Sequence, residues 1–177
     1  MIRDKKANQA AFGEAEVPTR NEAVIKDSRE PAAHRQTNAP RRAIEIVASD
    51  VSLDDSLRGI AAAIEADFPD VLCSILLADE IGARLVCSAA ESLPTDYNQT
   101  IDGMAIGPTA GPFGAAAYRR DFVIVEDIAN DSSWRSYRDV ALRNHLRAFW
   151  SHPILSARGQ LLGTFAMYFR EPRRPGP

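Results

Sequence analysis

VLCSILLADEIGARLVCSAA, residues 71–90, decides the fold class: two strand-like runs, 71–78 and 83–90, flank Asp79-Glu80-Ile81-Gly82. Apolar and β-branched residues fill both runs, and a glycine closes the connection, so the stretch reads as an antiparallel hairpin. A simple register pairs Ala78 with Ala83 and sets Cys87 opposite Ser74, whereas a one-residue bulge would bring Cys87 opposite Cys73. Both cysteines are expected to be reduced core residues, because no C-x-x-C or Cys/His ligand spacing accompanies them.

Upstream of the hairpin, Ser52 precedes Asp54 and Asp55, and Leu57, Ile60, Ala61 and Ile64 then recur on one helical face until Pro69. A capping hydroxyl, acids in the first turn and a terminal proline predict a helix over 52–67. Downstream, residues 91–111 carry two prolines and three glycines and read as a long loop. A short helix is expected from Gly114 through AAAYRR, then a strand in DFVIV. SWRSYRDVALRNH reads as a second helix, begun by Asp131-Ser132-Ser133, with Trp134, Tyr137 and Ala141 on one side. LRAFWSHPIL (146–155) and QLLGTFAMYF (160–169) form a second hairpin. Hairpins at both ends with helices between them define an α+β domain, one sheet with helices on its faces.

The chain has 177 residues, enough for one domain with a proper core. Residues 1–42 are expected to be a mobile N-terminal arm, 43–171 the folded domain and 172–177 a short Pro/Arg tail. The arm carries +3 and the remainder −6, a balance that argues against nucleic-acid binding, which rests on neutralising phosphates. No apolar run reaches membrane-spanning length and no signal peptide is evident, so a cytoplasmic protein is expected.

Several pieces at the right separations resemble the GAF domain family over residues 45–170. They are SILLAD-x-x-G-x-x-L, AAESLPTDYNQTIDGMAIGP, GAAAYRRDFVIVEDIANDSSWRSYRDVAL and LRAFWSHPILSARGQLLGTFAMYFREP. The resemblance is to the modules attached to diguanylate cyclases, phosphodiesterases and histidine kinases. It implies a central six-stranded antiparallel sheet and a small-molecule pocket between one sheet face and the middle of the chain. It also implies signalling through a homodimer, here through the helix at 52–67 and the segment before it, or through an effector in another chain. Pro112-Phe113 and Phe149 replace the small or thiol residues that this resemblance leads one to expect, so the aromatics either tune the pocket or fill it.

No nucleophile–histidine–acid order and no metal-ligand spacing appear, and cysteines are missing from the middle of the chain, so no catalysis is expected. No cofactor is named by these residues. The glycines at 103, 107, 111 and 114 lack a following Lys-Ser/Thr and are not a P-loop; Arg119, Arg120 and Arg135 are the cations nearest to any anionic ligand. The candidate ligand-binding set is Phe113, Tyr118, Asp127, Trp134, Tyr137, Phe149, Ser151 and His152. Strand alternation puts Phe149, Ser151 and Pro153 on one face and Ala148, Trp150 and His152 on the other. The rival expectation is a ligand-free interaction module whose core Phe113 and Phe149 fill.

Overall fold

The structure is a computed structural model that describes residues 38–176; the expectations for residues 1–37 lie outside it. Helices α1 (Ala39–Val47) and α2 (Leu53–Asp67) lead into strands β1 (Val71–Ala78) and β2 (Arg84–Ala89). Helix α3 (Thr95–Ile101), strand β3 (Met104–Ala105), helix α4 (Gly111–Arg119) and strand β4 (Val123–Val125) follow. A 3₁₀ turn (Ser132–Trp134), helix α5 (Arg138–Arg143) and strands β5 (Ala148–Leu155) and β6 (Leu161–Phe169) complete the domain. The six strands form one sheet in the order β3-β2-β1-β6-β5-β4, every neighbouring pair antiparallel. The fold is α+β, as the two hairpins predict.

Helix α2 forms where its sequence signals place it. Ser52 Oγ accepts the Asp55 N–H and donates to the Asp55 carboxylate, which satisfies an otherwise unpaired first-turn amide. Leu57, Ala61 and Ile64 face β1 and β2 and pack with Cys73, Ile75 and Ala89. Glu65 fixes the helix to the sheet by accepting the Cys73 N–H at 2.7 Å.

The hairpin keeps its Gly82 turn (φ +68°), and Asp79 caps it by accepting the Ala83 and Arg84 amides. The register differs from the simple one: Ala78 lies opposite Leu85, Cys87 lies opposite Leu76, and a bulge falls between Ile75 and Leu76. Because Cys87 lies opposite Leu76, three positions from Cys73, the sulfurs fall on opposite faces, Cys73 into the cluster under α2 and Cys87 toward the other core, and both are free thiols.

Residues 91–111 are not the featureless loop that their glycines suggest. Tyr97 and Ile101, spaced by four on α3, are both fully buried, so tertiary packing supports a helix in a turn-rich sequence. Gly103 at φ +69° then reverses the chain, and the two residues of β3 pair with β2 to supply the sixth strand. Among the described residues no helix is long and apolar enough to cross a membrane.

Candidate functional site

The two sheet faces carry separate cores. On the face under α3, α4 and α5, five rings close on one another: Tyr97, Phe113, Trp134, Phe149 and Tyr168, each 0% exposed. Phe113 and Phe149 have centroids 4.4 Å apart, Trp134 stands edge-on to Phe149 at 5.2 Å, and Tyr168 lies 5.3 Å from Phe149 and 5.5 Å from Tyr97. Such tilted and T-shaped contacts suit the ring quadrupoles. Phe113 reaches this depth because α4 lies directly on β3: a Cβ at Gly114 would sit 2.3 Å from the Ala105 carbonyl oxygen. The space between sheet and helices is therefore filled by the chain's own aromatics. Within it, Trp134 Nε1, Ser151 Oγ and Thr164 Oγ1 are buried without a hydrogen-bond partner among the described residues.

Beside this plug an open cleft of about 550 Å³ runs between the start of α4, strand β4 and the 131–137 turn. Thr109, Gly111, Arg119, Ser132, Arg135 and Tyr137 contribute to its lining. Tyr137 packs edge-on to the backbone of Gly111, where a Cβ would lie 2.8 Å from the ring; the φ of +77° at Gly111 is one that other residues rarely adopt. Arg119 and Arg135 make no side-chain hydrogen bond or ion pair among the described residues.

The predicted continuous helix through Trp134 and Tyr137 is broken. Asp131 accepts the Ser133 N–H at 2.8 Å and its carbonyl accepts Arg138 Nη2 at 2.7 Å, which stabilises a single 3₁₀ turn. Tyr137, with φ −118° and ψ −5°, precedes α5 as its N-cap. The aromatic pair consequently separates: Trp134 plugs the core and Tyr137 walls the cleft.

The other predicted residues disperse. Phe113, Phe149 and Ser151 share the aromatic face with Trp134, which settles which face of β5 lies under α4. His152 is exposed on the opposite face, where its ring meets Phe122 at 4.1 Å. Tyr118 is 58% exposed on α4 and lines no part of the cleft. Asp127 is occupied by its own loop, accepting from the Ala129 amide at 3.1 Å, the Asn130 side chain at 2.6 Å and Arg147 at 3.4 Å. Burial pushes the carboxyl's pKa upward, but these donors outweigh it and hold the pKa below the usual range. Sequence reasoning missed Tyr97 and Tyr168. Tyr168 was recoverable from the alternation of β6, where it follows Ala166 on the face opposite Met167 and Phe169.

Neither thiol is primed for attack. Burial and, secondarily, Glu65 push Cys73 up to about 12, and burial followed by Asp102 and Glu91 raises Cys87. Tyr97 and Tyr168 are likewise raised by burial. Among the described residues no group of three or more His, Cys, Asp or Glu could hold a metal ion.

A six-stranded antiparallel sheet with a helical pair on one face and a capped aromatic core on the other defines a small α+β module with an enclosed central face. Its sequence matches the GAF domain model over residues 50–176, and the chain belongs to that family. It is 36% identical over 134 residues to the methyl sulfide methyltransferase-associated sensor of Methanosarcina acetivorans, covering 76% of this chain and 13% of that protein. The chain thus spans about an eighth of the length of the curated relative it matches. Its fold resembles the GAF domain of an Acinetobacter phosphoenolpyruvate-protein phosphotransferase, with a TM-score of 0.59, 22% identity and 80% of each chain covered. It also resembles the free methionine-R-sulfoxide reductase of Neisseria meningitidis, solved in complex with its substrate. There the TM-score is 0.58 and the identity 16%, with 78% of this chain and 74% of that chain covered.

Proposed function

We propose that this GAF domain is a non-catalytic sensory module. A small molecule enters the cleft between α4, β4 and the 131–137 turn, and the response passes to a second copy or to an effector in another chain. One observation carries this reading: the turn that walls the cleft with Tyr137 also drives Trp134 into the centre of the core. A ligand that moves Tyr137 pulls on Trp134 through two intervening residues, and the rings packed on Trp134 link the turn to α4 and the sheet. The shift so produced is bounded by the ligand's difference in affinity for the two arrangements.

Two features favour a polar, negatively charged ligand. Arg119 and Arg135 border the cleft with solvent-exposed guanidinium groups that no described residue pairs, and Thr109, Ser132 and Ser136 bring hydroxyls to it. The raised thiols support the non-catalytic reading, since a reductase of the sulfoxide class needs an accessible thiolate. Native mass spectrometry of the freshly purified chain, gentle against denaturing, tests the proposal together with thermal-shift titrations of small carboxylates and phosphates. A retained or stabilising molecule lost in Tyr137→Ala and Arg135→Ala supports it. Stabilisation that persists in both variants contradicts the cleft as the site.

The filled aromatic face favours a second reading, a ligand-free interaction module. On that reading the cleft variants bind nothing and change nothing in assembly.

A further inference from the structure

The floor of the cleft beside α4 is a strand edge. Val123, Ile124 and Val125 all line it, although successive side chains of a strand leave on opposite faces. Val125 is buried in the aromatic core, while Ile124 is 46% exposed on the other face. What the three share is the backbone along one side of β4. That side is free, because β4 ends the sheet and pairs with β5 alone. Outside the β4–β5 ladder, no hydrogen bond among the described residues reaches the main chain of 123–125. An edge of this kind presents alternate N–H and C=O groups to whatever lies in the cleft.

We infer that this edge takes an extended peptide segment of another protein as an added strand, one that alternates acidic and apolar residues. The inference rests on the reading of the cleft as a binding site and names what occupies it. Main-chain bonds to β4 hold the segment, and the surroundings on either side read its alternate side chains. Toward α4 those side chains meet Arg119 and Arg135, which no described residue pairs, and the hydroxyls of Thr109 and Ser132. Asp131 is the acid among the lining residues, and its carboxylate is already taken by the Ser133 N–H and hydroxyl. Toward the opposite face they meet Ile124 and Phe122, 46% and 60% exposed. The length of β4, Val123–Val125, suits a segment of roughly three or four residues. A second copy of β4 fits less well: antiparallel pairing about Ile124 sets Asp121 of each strand opposite Asp127 of the other, and like charges so placed destabilise a sheet.

Fluorescence anisotropy tests this, with the full chain titrated into a labelled, end-blocked peptide of about five residues that alternates valine and glutamate. Saturable binding is expected, weakened roughly three- to tenfold by Arg119→Ala/Arg135→Ala. Two further peptides, each methylated on alternate amide nitrogens, separate backbone pairing from side-chain contact. One phase should bind at least about tenfold more weakly, and the other, whose methyl groups face solvent, should bind like the parent. Amide hydrogen exchange at 122–126 should slow in the complex. A peptide that does not bind, equal binding by both methylated forms, or unchanged exchange at β4 overturns the inference. So does exchange at β4 that slows as the chain alone is concentrated, which would assign the edge to a second copy. Inorganic phosphate that raises the melting temperature while the peptide fails to bind also overturns it and leaves the small-molecule reading of the cleft standing; failure of both probes removes the cleft as a site.

Discussion

The two faces of the sheet are finished by different means. Under α3, α4 and α5 the chain closes the face with its own rings, and five aromatics reach zero exposure. On the other face α2 covers β1 and β2 only. Trp150, Phe165 and Met167 remain half-buried, Ile124 is 46% exposed, and α1 turns a bare apolar stripe outward. The first face has stability built into one polypeptide; the second has apolar surface to spare for association.

The strongest way to break that contrast is to open the plug. Trp134→Ala or Phe149→Ala should cost about 3–5 kcal/mol in chemical denaturation, since each ring is wholly enclosed. Trp150→Ala, on the open face, should cost markedly less; equal losses would erase the distinction. Next comes Gly114→Ala, which forces α4 off the Ala105 carbonyl and should cost about 1–3 kcal/mol, read as a lowered midpoint at constant slope. Gly111→Ala sharpens the comparison at the cleft. The left-handed backbone alone costs roughly 1–2 kcal/mol, and displacement of Tyr137 should also weaken ligand binding in a thermal-shift titration. Ser52→Ala removes the α2 cap at a cost of about 1 kcal/mol and leaves the aromatic face untouched, as near-ultraviolet circular dichroism would report. Smallest is Asp127→Asn. Because the folded carboxyl is held below its usual range, it contributes stability above the unfolded value and loses it as the pH falls through the folded one. Denaturation curves of wild type and Asp127→Asn should therefore differ near neutrality and converge in acid.

Much of this was legible in the sequence because local signals agreed with tertiary demand. Ser52, Asp54, Asp55 and Pro69 bracket α2, and glycine-closed turns bracket both hairpins. The two-residue β3 was not legible, since its pairing with Arg84 and Leu85 is a long-range event inside a turn-rich stretch. The break between Trp134 and Tyr137 escaped for a related reason: periodicity assumes an α-helix, while Asp131 and Ser133 offer the backbone a competing set of bonds. Of the candidate site, Phe113, Trp134 and Phe149 do meet, as a plug. Tyr137 lines the cleft, while His152 and Tyr118 could not be sorted because β5 and α4 each present two faces to different surroundings.

The chain has two tryptophans, one on each face, and this makes the central claim directly measurable. Acrylamide quenching of Trp150→Phe, which leaves only Trp134, should be nearly absent, while Trp134→Phe, which leaves only Trp150, should be readily quenched. Comparable quenching of the two would mean that the face beneath α4 is open to small molecules, and that the aromatic plug does not confine ligand binding to the cleft.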